Sequence, residues 1–469
     1  MDTKTDVHAR DPAERRSPAV DVLYIALHGS EPLRPPSRHV IADVDVVSFG
    51  RGPASLSREH KDGLRQLVIR FPDPLMSSRH GQLVRARGTW MIDDPHSKNA
   101  VVVGGARTRS SKVLTGQLIS LGHTILFLAR EHRREPLDLD ATALPAPRRE
   151  LATFDAALGG DLDRMARLAT EPIPMLVLGE TGTGKEVVAR AIHELSGRSG
   201  PFVAVNCAAI ASTLLEAELF GHRRAAFSGA LADRLGHIRT SDRGTLFLDE
   251  VAELSPQAQA ALLRVLQERE VVPIGDTMPI SVDLRVVAAT NSDLAALVAG
   301  GKFRDDLYAR IAGFTLTLPP LRARQADLGL LIAALLRRRP HPGRIQLTWQ
   351  AASQLFRYTW PRNIRELERV LETAAALAGS EPITIDDLPD AIRAAAERSP
   401  VLAPAPTPAA PGKPAEPLAP DDRELKHRLE ALLRTHGDNV AEVARELGKD
   451  RTQIYRWMRR LGLRRDGGP

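Results

Sequence analysis

The stretch MLVLGETGTGKE occupies residues 175–186 and decides the architecture of the chain. Its apolar start predicts a short buried strand, and the following EVVARAIHEL predicts a helix. Between them lies the spacing G-x-x-x-x-G-K of a phosphate-binding loop, whose glycines let successive N–H groups face one anion. The helix N-terminus adds partial positive charge, and Lys185 adds a full charge for the β- and γ-phosphates. We therefore predict a nucleoside triphosphate site formed by Gly179, Glu180, Thr181, Gly182, Thr183, Gly184, Lys185 and Glu186.

Length and composition describe an ordinary globular protein. The 469 residues are enough for about three domains, and 43% of them are hydrophobic and 26% charged. The single cysteine, Cys207, excludes an intramolecular disulfide and suits a reducing cytosol. The charged N-terminus lacks the apolar core of a signal peptide, and no apolar run approaches the ~18 residues that span a bilayer. We expect a cytoplasmic protein without a membrane partner.

Changes of pattern divide the chain into three predicted domains. Short alternating runs separated by Gly, Pro, Asp and Ser predict an all-β sandwich over residues 21–130. Apolar strands that alternate with helices predict an α/β domain over 151–395, with a mainly parallel sheet and a helical subdomain from Leu321 onward. Residues 422–469 predict two short helices around a turn at Gly448, which is an all-α helix-turn-helix.

The remaining segments are expected to connect these domains. Residues 1–20 have the composition of a disordered tail. The polar stretch 131–150 and the Pro/Ala-rich stretch 396–421 are predicted to be linkers, the second of them extended and semi-rigid.

An apolar strand that ends in two acids follows the phosphate loop by about 65 residues, as GTLFLDE. An acid at the end of such a strand can hold Mg²⁺, and its neighbour can orient an attacking water. We therefore assign Asp249 to the metal and Glu250 to the water, which predicts hydrolysis of the bound nucleotide.

Eight successive segments then resemble the AAA+ domain of bacterial enhancer-binding proteins, the NtrC-like activators of sigma-54 RNA polymerase. They are GETGTGKE, VNCAA, EAELFGH, GTLFLDEV, LRVVAATN, FRDDLYARI, LPPLRAR and WPRNIREL. The resemblance covers nearly all of 151–395, and glutamate at position 186 is usual in that family. It implies ATP and Mg²⁺ as cofactors and a homo-oligomeric ring, expected to be a hexamer, that remodels the sigma-54 holoenzyme.

The resemblance also implies roles for single residues inside the cleft. Asn206 would hold Glu250 in a nucleotide-dependent switch. Thr290 and Asn291 would sense the γ-phosphate, and Arg365 would be a second sensor that contacts the nucleotide from the helical subdomain.

Two further arginines are implied to act across a subunit boundary. Arg304 and Arg310 would reach into the neighbouring site as arginine fingers, where positive charge stabilises the transferring phosphoryl group. At position 362 an arginine replaces the glycine that is usual in the family, with no consequence evident from sequence.

The segment AAFSGA at 225–230 lies where the family carries GAFTGA, a loop that projects from the ring and touches sigma-54. The implied contact residues are Phe227, Ser228 and Gly229. Serine for threonine keeps the hydroxyl, but Ala225 stands where the family has glycine and would be strained if φ is positive there.

The motifs FGR, SSRH and SKN in the first domain resemble a forkhead-associated (FHA) domain, a β-sandwich that binds phosphothreonine peptides. Arg51 would contact the phosphate and Ser77 would add a hydroxyl donor. Asn99 would bond the peptide backbone, whereas His80 would brace the loop. Ala100 departs from the family, which has glycine after this asparagine.

The C-terminal domain concentrates positive charge. Between Lys449 and Arg465 there are seven Lys or Arg residues and one acid. Positive charge on the second helix of a helix-turn-helix is the footprint of DNA binding, and this unit resembles the Fis-type domain of the same activators. We expect the major groove and the phosphates of DNA to be contacted by Arg451, Thr452, Gln453, Arg456, Arg459 and Arg460.

Together these features predict a sigma-54-dependent transcriptional activator. Its partners would be upstream DNA, the sigma-54 holoenzyme, and a phosphothreonine protein or Ser/Thr kinase. Two alternatives remain: a DNA-binding regulator of other promoters whose ATPase only controls assembly, which Ala225 keeps open, and a general AAA+ remodeller, which the DNA-binding domain disfavours.

Overall fold

The computed structural model describes residues 19–132, 138–144, 146, 149–226, 232–394, 428–429, 431–432, 435–436 and 440–448. These residues fall into two units that divide between positions 403 and 404. The first unit contains the predicted β domain and the predicted α/β domain, and the second contains the predicted DNA-binding domain.

The N-terminal part of the first unit is built from strands alone, which confirms the predicted all-β sandwich. Its strands are β1 (Ala19–His28), β2 (Ser37–Val40), β3 (Val46–Arg51), β4 (Ser55–Lys61), β5 (Leu64–Phe71), β6 (Gly81–Ala86), β7 (Thr89–Asp93), β8 (Val101–Val103), β9 (Ala106–Thr108), β10 (Ser110–Val113), β11 (Leu118–Leu121), β12 (Thr124–His132) and β13 (Leu139–Asp140). One sheet has the order β13-β2-β1-β12-β11-β8-β9, and the other has β10-β7-β6-β3-β5-β4. All the pairs are antiparallel except β3 with β5.

The central α/β domain follows from strands and helices that alternate along the chain. They are α1 (Ala156–Leu168), β14 (Met175–Leu178), α2 (Lys185–Leu195), β15 (Phe202–Asn206), α3 (Ser212–Phe220), β16 (Gly221–His222), β17 (Arg234–Leu235), α4 (His237–Thr240), β18 (Thr245–Asp249), α5 (Pro256–Glu268), β19 (Glu270–Val271), β20 (Ile280–Ser281), β21 (Arg285–Thr290), α6 (Leu294–Ala299), α7 (Asp305–Ile311) and β22 (Phe314–Thr317). Five of these strands form a parallel sheet in the order β15-β18-β21-β14-β22. Because the carboxyl ends of parallel strands share one edge, the residues that follow β14, β15, β18 and β21 meet there.

A helical subdomain, which we call the lid, follows β22. It contains α8 (Leu328–Arg337), α9 (Trp349–Arg357), α10 (Asn363–Ala378) and α11 (Asp390–Ala394). Short 3₁₀ turns at Leu321–Ala323 and Gln325–Asp327 lead into α8.

The seven-stranded sheet of the β domain is buried on both of its faces. Along β1, Leu23 and Ile25 face the core of the sandwich, whereas Val22, Tyr24 and Ala26 belong to a core formed with the lid. Strands β11 and β12 alternate in the same way. The lid supplies the other half of this core, including Leu328, Ile332, Leu336, Ala351, Ala352 and Leu355. The β domain and the lid therefore share one hydrophobic core.

The predicted linker, 131–150, is described at 131–132, 138–144, 146 and 149–150, and part of it forms regular structure. Strand β12 continues to His132, and β13 pairs with β2, with Leu139 opposite Arg38. The side chain of Asp140 then caps a 3₁₀ turn at Ala141–Ala143.

In the second unit the described residues include a helix, α12 (Val440–Glu446). Val443 and Ala444 are buried. Gly448 follows with a φ of 60°, the left-handed conformation in which helices commonly end.

Within the described part of the chain, the structure shows no helix with the length and apolar character needed to cross a membrane.

Candidate functional site

The phosphate loop connects β14 to α2. Gly182 and Gly184 adopt φ values of 81° and 103°, which only glycine adopts readily. Lys185 is buried, and its Nζ donates to the carbonyl oxygen of Gly179 at 2.9 Å. The Thr183 hydroxyl donates to the carbonyl of Glu180 at 2.8 Å and closes the turn from within. The lysine is thus held against the start of its own loop.

Glu250 lies opposite this loop, directly after β18. Its Oε1 is 3.5 Å from Nζ of Lys185, and its backbone φ is 53°, a left-handed value rare outside glycine. Its Oε2 accepts from the backbone N–H of Asn291 at 3.2 Å and from the Thr290 hydroxyl at 3.4 Å. Asn291 Nδ2 also donates to the Thr181 hydroxyl at 3.1 Å. The two predicted sensor residues therefore connect the acid to the phosphate loop.

Asn206 ends β15 and stands beside Asp249 in the sheet register. Its Oδ1 accepts from the backbone N–H groups of Ala208 and Ala209, at 3.0 and 3.2 Å. In this conformation its side-chain oxygen is engaged by its own turn, while Glu250 is held by Asn291 and Thr290.

Asp249 is the magnesium ligand predicted from the sequence. It ends β18 partly buried, and burial raises the pKa of its carboxyl more than the charge of Lys185 lowers it. Its Oδ1 accepts from the N–H of Glu250 at 3.1 Å. The described residues contain no group of three His, Cys, Asp or Glu side chains suited to a metal. Mg²⁺ commonly binds proteins through one or two carboxylates together with substrate phosphates and water.

The lid meets the phosphate loop through residues whose roles sequence reasoning missed. The side chain of Asn363 is fully buried, and its Nδ2 donates to Glu180 Oε2 and to the Thr181 carbonyl, both at 3.1 Å. Arg322 makes a bidentate pair with Glu180, at 2.5 and 2.8 Å, and lowers the pKa of that carboxyl. The N–H of Ile364 donates to the carbonyl of Gly182 at 2.9 Å. The motifs LPPLRAR and WPRNIREL contain the missed residues, but their spacing does not reveal these contacts.

A cleft of about 420 Å³ separates the base of the domain from the lid. The phosphate loop, Asp249, Glu250 and Arg365 belong to its polar lining. Its apolar lining consists mainly of Leu151, Leu158, Leu162, Leu318, Leu331, Leu335 and Ile364. An apolar compartment beside a phosphate site is the surface that a nucleobase requires.

The two predicted arginine fingers lie on or beside α7, outside this lining. Arg304 caps the start of α7 and pairs with Asp306 at 2.7 Å on the surface. Arg310 is also exposed, and its guanidinium donates to the carbonyl of Leu266 at 3.0 and 3.3 Å. Neither arginine lines the cleft of its own chain.

The predicted sigma-54 loop is described only at its base, since Phe227, Ser228 and Gly229 lie outside the described residues. Ala225 has a φ of 64°, so a residue with a Cβ stands in the left-handed conformation that favours glycine. By contrast Arg362 has a φ of −108°, which any residue adopts. The first departure from the family is therefore strained, and the second is not.

Arg51, Ser77 and Asn99 come together at one end of the β domain. The N–H of Arg51 donates to the Ser77 carbonyl at 2.8 Å, and Ser77 Oγ accepts from the N–H of Lys98 at 3.1 Å. Asn99 Nδ2 donates to the carbonyl of Leu75 at 2.7 Å. These bonds link the end of β3 to the loops that follow β5 and β7.

The loop after β5 is braced by His80. Its Nδ1 accepts from the N–H of Ser77 at 2.9 Å, and burial lowers the pKa of the ring, which keeps it neutral as this bond requires. Ala100 has a φ of 52°, so alanine occupies another left-handed position where the FHA family has glycine.

The predicted DNA-contacting residues Arg451, Thr452, Gln453, Arg456, Arg459 and Arg460 lie outside the described residues.

Family comparisons agree with this arrangement. The Sigma-54 interaction domain family matches residues 152–317, and the AAA+ ATPase lid domain family matches 322–404. The FHA domain family matches 47–122, and the Homeodomain-like domain family matches 422–467. The predicted enzyme class, an AAA+ ATPase, is confirmed by these matches.

Individual proteins extend the comparison. The chain is 41% identical over 322 residues to the transcriptional regulatory protein ZraR of Escherichia coli strain K12, covering 68% of this chain and 70% of ZraR. It is 46% identical over 336 residues to the acetoin catabolism regulatory protein of Cupriavidus necator, covering 70% of this chain but 50% of that protein. A solved structure of NtrX from Brucella abortus in complex with ATP is 29% identical, covers 67% of this chain and 71% of that one, and has a TM-score of 0.47. This chain belongs to the NtrC-like family of sigma-54-dependent transcriptional activators and carries an FHA domain before its AAA+ domain.

Proposed function

We propose that the chain activates transcription by coupling ATP hydrolysis to promoter opening by sigma-54 RNA polymerase. The observation that carries the proposal is the convergence of Lys185, Glu250 and Arg365 on one cleft, within the matched sigma-54 interaction and lid domains. Asn291 bonds to both Glu250 and the phosphate loop. Lys185 supplies a cation for the phosphates, and Glu250 supplies an acid for the attacking water. Arg365 adds a second cation, which comes from the lid.

Each residue of the cleft has a definite task in the proposed hydrolysis. Lys185 binds the β- and γ-phosphates, and Glu250 orients the attacking water and accepts its proton. The bonds from Asn291 and Thr290 fix the direction of that carboxylate. Asp249 would hold Mg²⁺, which neutralises negative charge on the phosphates when it is bound.

The surface position of Arg304 and Arg310 supports action on a neighbouring subunit. A guanidinium that lies outside its own cleft can stabilise phosphoryl transfer only in another chain's site. Hydrolysis would then require a homo-oligomeric ring, and its rate would depend on the contact between two neighbouring subunits.

Three further partners complete the proposal. The loop that contains Phe227 would touch sigma-54, and the C-terminal helix-turn-helix would tether the ring to upstream DNA. Phosphothreonine on a partner protein or kinase would dock against Arg51, Ser77 and Asn99, whose loops are joined by hydrogen bonds.

Transcription in vitro tests the proposal directly. The full chain and ATP are added to a sigma-54 holoenzyme on its promoter, and in parallel to the housekeeping holoenzyme on its own promoter. We expect ATP-dependent transcripts from the first reaction alone. Stimulation of only the housekeeping enzyme would instead support a regulator whose ATPase controls assembly, the alternative that the strained Ala225 keeps open.

The DNA tether has its own test, which is a truncated chain ending at Pro420. Loss of site-specific DNA binding with retained ATPase activity is expected. Full site-specific binding by the truncated chain would place the DNA contacts elsewhere.

A further inference from the structure

The FHA domain and the lid are in direct backbone contact and are not joined by a flexible linker alone. A methyl group placed on Gly329 in α8 would lie 1.8 Å from the carbonyl oxygen of Ala26 in β1, so helix and strand backbones touch. Ser120 in β11 and Ser353 in α9 are buried and form a hydrogen bond of 3.1 Å. Backbone contact of this kind leaves little room for either part to move alone.

A series of hydrogen bonds leads to this contact from residues 72–80, the loop that carries Ser77. Asp73 lies four residues before Ser77 and is buried. Its two oxygens accept from the His123 N–H at 2.6 Å and from the His123 ring at 3.0 Å. Although burial opposes it, these bonds lower the pKa of Asp73, so the carboxylate is charged when it accepts them.

The series continues through main-chain atoms into the lid. The carbonyl of His123 accepts from the N–H of Gly29 at 2.9 Å. The carbonyl of Gly29 accepts from the N–H of Leu347 at 2.7 Å, and Leu347 is fully buried in the core shared with the lid. Helix α9 begins two residues later, at Trp349.

From α9 the chain reaches the nucleotide cleft within a few residues. The indole N–H of Trp360 donates to the carbonyl of Leu355 near the end of α9, at 3.0 Å. The N–H of Asn363 donates to the carbonyl of Trp360 at 2.8 Å. Asn363 and Ile364 then bond to the phosphate loop, as described above.

We propose that the FHA domain and the lid work as one regulatory unit, in which the phosphopeptide loops and the nucleotide cleft are coupled through Asp73, His123, Gly29 and Leu347. Because coupling is reciprocal, a nucleotide that fixes the lid also fixes the phosphopeptide loops, and a ligand on those loops changes nucleotide affinity by the same factor. The identity of that ligand as phosphothreonine rests on the proposed function. The coupling itself does not.

Hydrogen exchange of the full chain, with and without ATPγS, measures this coupling without a peptide. The amide groups of Gly29, His123 and Leu347 are themselves donors in the series, so their exchange rates report its stability. We expect ATPγS to slow exchange at these amides and in residues 72–80 by about fivefold or more.

A matched pair of variants isolates the connection. Asp73→Ala removes an acid that accepts from the backbone and side chain of His123. Asp45→Ala removes an acid that accepts from the backbone and side chain of Arg65 in the same domain. We expect the nucleotide effect on 72–80 to disappear in Asp73→Ala and to persist in Asp45→Ala, while both variants keep wild-type affinity for ATPγS.

A second variant covers the case in which Asp73→Ala does not fold. His123→Ala removes only the ring bond to Asp73, and we expect it to reduce the nucleotide effect on 72–80. If ATPγS left 72–80 unchanged in the wild-type chain, or slowed it equally in Asp73→Ala or in a folded His123→Ala, the coupling would be refuted.

The phosphothreonine assignment is tested separately, with a degenerate phosphothreonine peptide library and the Arg51→Ala variant as control. Nucleotide-dependent exchange at 72–80 without any phosphate-dependent binder would support the coupling and reject the ligand class. Phosphate-dependent binding that Arg51→Ala abolishes, without nucleotide-dependent exchange, would support the ligand class and reject the coupling.

Discussion

Lys185 and Glu250 form an ion pair across the nucleotide cleft, with 3.5 Å between Nζ and Oε1. Lys185, which would bind the phosphates, thus neutralises the charge of Glu250, which would activate the water. A γ-phosphate at Lys185 would compete for this ammonium group. Glu250 would then be held by Asn291 and Thr290 alone, directed toward the phosphate.

Removal of the lysine tests the phosphate side of this pair. Lys185→Ala should lower ATP affinity about 10- to 100-fold, because a charge-assisted hydrogen bond contributes roughly 1.5–3 kcal/mol. Titration of a fluorescent ATP analogue into the purified chain measures the change. Lys61→Ala, on exposed β4, is the control and should bind as the wild type does. Unchanged affinity in Lys185→Ala would place the triphosphate elsewhere.

The position of Arg304 on the surface leads to a prediction about mixed rings. Arg304→Ala alone should lose ATP hydrolysis, and so should Lys185→Ala alone. Mixing the two should restore partial hydrolysis, because a cleft with an intact Lys185 can receive Arg304 from its neighbour. Steady-state phosphate release at varied mixing ratios measures this, with Arg344→Ala as the matched control for loss of an arginine. Arg304 would act within its own chain if no mixture recovered activity.

Much of the nucleotide site could be predicted from sequence because its signals are local. The phosphate loop, the acids after GTLFL and the Thr-Asn pair each follow a predicted strand, and parallel strands bring such ends together. Asn363 and Arg322 could not be placed in the same way. Their partner Glu180 is 183 and 142 residues distant in the chain, and no local period encodes that contact.

The shared core of the FHA domain and the lid does not follow from the alternating pattern, although the sequence contains one signal of it. The stretch VLYIAL at 22–27 is apolar without interruption, which is typical of a strand buried on both faces. Alternation elsewhere in the domain predicts a sandwich, and it does not indicate a second partner for this sheet. The tip of the sigma-54 loop and the DNA-contacting residues remain predictions.

The strain at Ala225 predicts the effect of restoring glycine. Ala225→Gly should stabilise the base of the sigma-54 loop by up to about 1 kcal/mol, because glycine adopts a positive φ without a steric penalty. Exchange of the Ala226 amide, which donates to the carbonyl of Arg223, should slow by up to about fivefold. Ala226→Gly is the control at a neighbour without positive φ and should not stabilise this segment. Faster exchange in Ala225→Gly would contradict the assignment of strain.

The buried carboxyl of Asp327 should make the free energy of unfolding depend on pH. It is fully buried between Thr153 and Phe154, and burial raises the pKa of its carboxyl from 3.8 to about 6. The folded chain therefore binds this proton more tightly than the unfolded chain does. Its stabilising contribution is complete below pH about 3.8 and is lost as pH rises through about 6.

Urea unfolding of the wild type and of Asp327 variants between pH 4 and 7 measures the contribution of Asp327 to the free energy of unfolding. The wild type should lose on the order of 2–3 kcal/mol relative to Asp327→Asn over that range, since each pKa unit corresponds to about 1.4 kcal/mol. The exposed Asp386→Asn should follow the wild type. Parallel pH profiles for wild type and Asp327→Asn would show that burial does not shift this group.

The central claim is that hydrolysis assisted by Glu250 opens a sigma-54 promoter, and permanganate reactivity of the melted bases tests it most directly. The assay combines the sigma-54 holoenzyme, its promoter, ATP and either wild-type chain, Glu250→Gln, or the exposed control Glu253→Gln. We predict reactive bases with the wild type and with Glu253→Gln. We predict none with Glu250→Gln, which should still bind ATP. Promoter opening by Glu250→Gln at the wild-type rate, or no opening by the wild type with ATP, would contradict the account.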